Sequence, residues 1–246
     1  MDNTLFQQAR QGDFRSIARC ISLIEHHQAA EKIAAPETGS SVPVIGVTGP
    51  PGAGKSTLID ALIGEYVSEG KQIAVLCVDP SSPFHSGALL GDRIRMNRWY
   101  QNPAVFIRSL SSGGALGGIH PLTTEIVRFI STCGFDLILI ETVGVGQSEV
   151  EVVRLATVTL LVLVPEAGDE VQFMKSGLME AADLFVVNKS DRPGSDRFAG
   201  RLRSVLHGMS RQFFLEDPVI NVTAVEGKGV AALKEKISAF ITNKKK

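Results

Sequence analysis

Cysteine is scarce and scattered in this chain. Cys20, Cys77 and Cys133 are its three thiols. They form no CxxC pair and no even framework, which excludes a disulfide scaffold and a local zinc knuckle. A surplus of one charge is also missing. Lys plus Arg is 25, Asp plus Glu is 26, and the net charge is −1. A protein that grips nucleic acid irrespective of sequence needs a basic excess, so that class is excluded. No long apolar run is present either. The longest, around Val158 to Val164, is far short of a bilayer crossing. The opening MDNTLFQQARQGD has no apolar core of the kind a secretory leader carries. The expectation is a soluble, cytoplasmic protein with no nucleic-acid or membrane partner. There is no internal repeat. His26, His27, His120 and His207 show no metal-ligand spacing, and His85 reads as an exposed loop residue.

What is present is enough apolar material for a core, 44% of 246 residues, in a pattern that changes once. Residues 1–41 read as a helical arm and linker. Asp13 is placed to cap a helix on which Phe14, Ile17, Ile21 and Ile24 recur at spacings of three and four. PETGSSVP, Pro36 to Pro43, reads as the linker. From residue 42 to 246, short apolar runs alternate with helical patterns. VIGVTG is followed by a helix over about 54–68, then by IAVLCVD, VFIRSL, FDLILIE, VTLLVLV, DLFVVNK and PVINVT. Runs without polar alternation are strands buried on both faces. The predicted class is therefore α/β: a P-loop NTPase with a largely parallel sheet flanked by helices. Leu233, Ile237 and Phe240 predict a last helix from Val230.

The most specific motif is GPPGAGKS, Gly49 to Ser56, lying between a predicted strand and a predicted helix as a phosphate loop must. Gly49, Gly52 and Gly54, with Pro50 and Ala53 between them, let main-chain N–H groups turn inward on a polyphosphate. The helix start points its positive end at the same anion. Lys55 adds a charge near the β and γ phosphates, Ser56 offers a hydroxyl to Mg2+, and Thr57 can reach the α phosphate. Glu141 ends strand FDLILIE and can hold a metal-bound water, while Gly144 three residues on can give its N–H to the γ phosphate. Asp79, at the end of IAVLCVD, and Asp92, in GALLGDRIRM, compete for the metal role. Gln147 is either a water-orienting group or a structural switch residue.

Base choice is carried by Asn188-Lys189-Ser190-Asp191. A carboxylate at Asp191 accepts from guanine N1–H and its exocyclic amine. Adenine would leave it unpaired. Asn188 can orient the loop and the Lys189 stem can lie along the base. Thr223-Ala224 can add an N–H to guanine O6.

These segments, with VDPSSPF, FIRSL, GALGG, ETVGVGQSEVEV, PEAGDEVQFMKSGLMEAAD and VVNKSD, resemble the MeaB/ArgK family of P-loop GTPases, which includes the methylmalonic aciduria type A protein. The resemblance runs from Val44 to Asp191. It implies a G-protein chaperone of adenosylcobalamin-dependent acyl-CoA mutases, which uses GTP binding and hydrolysis to gate cofactor loading and removal. It implies that the mutase, and its adenosyltransferase, are the partners, and that cobalamin is not bound by this chain itself. Carried over by motif, Ser56, Asp79, Asp92 and Glu141 form the Mg2+ shell. The region of Asp92 is switch I and Glu141 to Gln147 is switch II; Lys55, Glu141 and Gln147 are the candidates for hydrolysis, with Gln147 still open between water-orienting group and switch residue. Gly168 to Lys175 is switch III, with Asp169 and Lys175 relaying nucleotide state.

The chain departs from the family at Glu166 and Phe173, where glycine is usual. One helix follows Ala224 where stand-alone members continue into a dimer-forming extension, so homodimerisation stays open. With no arginine finger legible, intrinsic hydrolysis is expected to be slow. Two other readings stay open. One is a metallochaperone-type GTPase for another metalloenzyme, which calls for a Cys/His cluster. The other is a scaffold that binds GTP with negligible hydrolysis.

Overall fold

The computed structural model describes residues 3–26, 42–79, 96–111, 122–142, 148–165, 177–209 and 213–244. Seven strands form one all-parallel sheet: β1 Val44–Thr48, β2 Ile73–Asp79, β3 Val105–Ser111, β4 Leu137–Glu141, β5 Val158–Leu163, β6 Leu184–Val187 and β7 Val219–Asn221. Their order is β3-β2-β4-β1-β5-β6-β7. Every strand-forming run named from the sequence lies in this sheet. β2 matches its run and β3 extends one residue past VFIRSL, while the other five strands are shorter than their runs, because there the chain leaves the ladder to turn into a loop. β6 stops at Val187 and Lys189 takes φ +55.

Successive side chains alternate between two helical layers. Ile45, Val47, Ile73, Val75, Leu137, Leu139, Leu160 and Val162 face α3 (Lys55–Ser68) and α8 (Val230–Lys244). On the last helix, Leu233 and Ile237 are fully buried and Phe240 is nearly so. Glu69, just past α3, receives Lys234 of α8 at 2.5 Å, tying these helices together.

The other face is covered in two parts. α1 (Asn3–Arg10), α2 (Phe14–Glu25) and α4 (Thr123–Ile130) pack over Ala74, Leu76, Phe106 and Ile138. α6, a single turn over Leu178–Ala181, and α7 (Ser195–His207) cover Leu161, Leu163, Phe185 and Val187. Between them α5 (Ser148–Leu155) crosses β1. Gly46 makes that crossing close: a Cβ there would sit 2.8 Å from Cγ1 of Val152 and 3.1 Å from Cβ of Ala156.

The predicted helical arm is two helices broken at Gly12, whose φ of +87° ends α1. Asp13 caps α2 by accepting the Ser16 N–H at 2.8 Å. Ile17, Ile21 and Ile24 are fully buried in the core shared with β2, β3 and α4, and Phe14 packs edge-on against Phe106. Arg108 of β3 reaches across to Glu25 at 3.0 Å. Residues 36–41 of the expected linker lie outside the described residues.

Candidate nucleotide and metal site

The carboxyl ends of the central strands converge on one edge of the sheet, where open α/β sheets carry their ligands. β1 and β5 are neighbours, and the loop after β1 turns back hard against β5. Gly49 has φ +136°, and a Cβ there would lie 2.1 Å from the Val162 carbonyl oxygen, so only glycine fits. Gly54 has φ +87°, and its added Cβ would meet Nδ2 of Asn188 at 2.5 Å. Between them Ala53 is fully buried. α3 then starts at Lys55, so its first N–H groups and the positive end of its dipole face the hollow of the loop.

Lys55 and Ser56 are both buried. The Lys55 ammonium donates to the Gly49 carbonyl at 2.8 Å and the Pro50 carbonyl at 3.1 Å, so the cation is held inside the loop's curve. The Ser56 hydroxyl donates to Oε1 of Glu141 at 2.7 Å, and Glu141 is itself buried. Thr142, next in the chain, is fixed below. Its N–H donates to the Val47 carbonyl at 3.1 Å, and the Thr142 and Thr48 hydroxyls lie 3.1 Å apart. The floor of the site is therefore hydrogen-bonded between β1 and β4.

Asp79 is the last residue of β2, two positions beyond Cys77, which is in register with Glu141. The sheet thus brings the backbones of both candidate metal-binding acids to one edge on neighbouring strands. Among the described residues no cluster of three or more His, Cys, Asp or Glu is poised for a metal. Asp92, Gly144, Gln147, Asp169, Lys175 and the Asp79 side chain lie outside the described residues, as do Glu166 and Phe173. A serine hydroxyl beside a buried carboxylate is nonetheless a hard-oxygen donor pair of the kind Mg2+ takes. It suits an ion that keeps most of its waters and shares the rest with phosphate.

The 188–191 loop is fastened to the phosphate loop. Asn188, 2% exposed, donates from Nδ2 to the Ala53 carbonyl at 2.8 Å and accepts the Ala224 N–H on Oδ1 at 3.2 Å. Lys189 donates to the Gly52 carbonyl at 2.8 Å, so its stem spans from the 188–191 loop to the phosphate loop. The Ser190 and Thr223 hydroxyls lie 3.0 Å apart, and the Ser190 N–H donates to the Val222 carbonyl at 3.1 Å. Asp191 is exposed at the rim. Sequence motifs do not reveal the supporting threonines Thr48 and Thr142, which carry no signature of their own. Nor do they reveal a cluster of Asp60, Arg98 and Trp99 beside α3, whose partners are 38 and 39 residues apart.

Comparison with known proteins places the chain in a family and matches its fold. A family model described as "Methylmalonyl Co-A mutase-associated GTPase MeaB" matches residues 17–246. A protein of Pyrococcus horikoshii named as a GTPase is 45% identical over 240 residues, 95% of this chain and 75% of the relative. The mitochondrial methylmalonic aciduria type A homolog of Mus musculus is 38% identical over 200 residues, 80% of this chain and 48% of the relative. Among solved structures, the crystal structure titled LAO/AO transport system kinase superposes with a TM-score of 0.79 at 29% identity. It covers 99% of this chain and 77% of the other.

Proposed function

The chain belongs to the MeaB family of GTPases, and from that premise we propose that it is a Mg2+-dependent, intrinsically slow GTPase that gates cobalamin loading and removal on an acyl-CoA mutase. The observation that carries the guanine reading is the Asn188 bridge. One buried amide holds the phosphate loop at Ala53 and the loop after β7 at Ala224. A nucleotide with its phosphates in the first loop would have its base beside the 188–191 loop and the loop after β7. There Asp191 accepts from guanine N1–H and the exocyclic amine, an arrangement that ATP leaves unpaired.

The phosphates would lie against the N–H groups of residues 52–57, with Lys55 turned from its carbonyl partners to the β and γ oxygens. Ser56 and Glu141, with Asp79 and Asp92, would hold Mg2+, which when bound offsets charge on the β and γ phosphates. Hydrolysis is then in-line attack of water, with the P-loop N–H groups stabilising the leaving diphosphate. Gly144 would donate to the γ phosphate and Gln147 would orient water or the switch. Thr142, anchored to β1, transmits any displacement after Glu141 to the loop floor.

The mutase reading is supported by the family description and by the mouse relative's name. Asp169 and Lys175 would face the mutase in nucleotide-dependent fashion. The base-recognition part is tested with Asp191→Asn, which replaces an acceptor by a donor. The variant should lose GTP affinity by two orders of magnitude or more and gain affinity for xanthosine triphosphate. Undiminished preference for GTP would refute the role assigned to Asp191.

A further inference from the structure

Beside α3 lies a groove of about 420 Å3 lined by Thr57, Asp60, Ala61, Gly64, Arg98 and Ala224 among others. Its volume is in the range of small-molecule sites. It begins at two residues of the nucleotide site and ends at an arginine that no motif singles out.

That arginine is built in with unusual thoroughness. Nε of Arg98 donates to Oδ1 of Asp60 at 2.9 Å, and Nη2 donates to the Asp60 carbonyl at 3.0 Å. Nη2 also pairs with Oδ2 at 2.7 Å. Asp60 accepts the indole N–H of Trp99 at 2.7 Å as well. The guanidinium lies 4.7 Å from the Trp99 ring centroid, a cation–π contact. Met96, fully buried in the core, anchors the segment. The indole packs against α3 at Gly64, where a Cβ would lie 3.8 Å from Cζ2, an ordinary van der Waals distance. A fork with Nε and Nη2 engaged keeps its Nη1 N–H groups for another acceptor.

The chemistry of a guanine nucleotide says which acceptor belongs there. If the phosphates lie on residues 49–56 and the Watson–Crick edge meets Asp191, the ribose lies between them, on the purine's opposite edge. Thr57 and Ala224, both expected at the nucleotide, line the same groove as Arg98. We propose that Arg98 is a further nucleotide-binding residue, donating from Nη1 to a ribose hydroxyl, and that Asp60 is its positioning residue. This rests on the GTP reading above.

The test uses the intact chain with Mg2+ and calorimetric titration of GDP and 2′,3′-dideoxy-GDP. Wild-type protein should bind GDP roughly tenfold tighter than the dideoxy form, as expected for a hydrogen bond to a charged group. Arg98→Ala should bring GDP down to the dideoxy affinity while leaving the dideoxy affinity unchanged. Asp60→Asn should erase the same ratio and red-shift the emission of Trp99, the chain's single tryptophan. The Arg98 side chain is 56% exposed, so its truncation is compatible with folding and decides the matter by itself if Asp60→Asn misfolds. A GDP-to-dideoxy ratio identical in wild type and Arg98→Ala would overturn the assignment of Arg98 alone. Absence of GDP binding by the wild type would overturn the GTP reading and this inference together.

Discussion

Glu141 accepts the Ser56 hydroxyl at 2.7 Å across 85 residues of sequence. Ser56 is the second residue of α3 and Glu141 closes β4, so the pair joins the nucleotide-holding half of the site to the half expected to switch. Glu141→Gln keeps the side-chain volume and an acceptor but removes the charge. The expected outcome is a 100-fold or greater fall in kcat for GTP, with GDP affinity changed several-fold at most. Steady-state phosphate release and GDP titration check it. An unchanged kcat would remove Glu141 from the metal and hydrolysis machinery.

Asn188→Ala should be a stability mutation as well as a binding one. It strands the buried Ala53 carbonyl and Ala224 N–H that Asn188 now satisfies. Each orphaned group costs about 1–3 kcal/mol. A two-ended loss of about 2–6 kcal/mol should lower Tm by roughly 4–24 °C in a chain of this size. Differential scanning calorimetry reads it directly, and a Tm within a degree of wild type would contradict the bridge.

Gly49 and Gly52, two of the loop's three glycines, should respond differently to alanine. At Gly49 the new Cβ would meet the Val162 carbonyl at 2.1 Å, so β5 or the loop must move. Gly49→Ala is expected to yield insoluble or poorly folded protein. At Gly52, with φ +79° and nothing within 4 Å, alanine costs only the left-handed strain of about 1–2 kcal/mol. Expression yield and circular dichroism of the two variants separate these outcomes.

Away from the site, Asp217 gives a pH signature. Burial raises its pKa, but hydrogen bonds from Arg203 and the Val219 N–H, with the Arg203 and Lys236 charges, outweigh burial and hold it below the ordinary 3.8. A folded-state pKa below the unfolded value stabilises above that unfolded value, and the contribution is lost as pH falls through the folded pKa. The side chain is 45% exposed, so solvent screening limits the effect to under about 1 kcal/mol. Asp217→Asn should therefore lower Tm by no more than about 4 °C at pH 7, and the gap should close below pH 3.8. A gap that widens in acid would reverse the sign.

Local chemistry explains which parts of the fold and the site are legible in the amino-acid sequence. Gly49 to Ser56 must be a strand-to-helix turn because its glycines, lysine and serine make sense only there. The strands reveal themselves as unbroken apolar runs because both sheet faces are covered. Asp13 as a cap and Ile17, Ile21 and Ile24 as a buried stripe follow from helical spacing alone. The rest depends on contacts between distant residues. Asn188 can be read as a loop-orienting residue, but its partner Ala53 lies 135 positions upstream. Nothing in NRWY announces that Arg98 and Trp99 converge on Asp60. The docking of α1 and α2 over β2 and β3 is likewise a property of shape complementarity, which periodicity cannot assign to a particular strand.

The most direct measurement is single-turnover phosphate release from GTP and from ATP by the intact chain with Mg2+, alone and with methylmalonyl-CoA mutase. Release from GTP only, slower than about one per second alone and faster with the mutase, is the predicted result. Equal turnover of ATP, or GTP hydrolysis at tens per second that ignores the mutase, would contradict a guanine-specific, partner-completed switch.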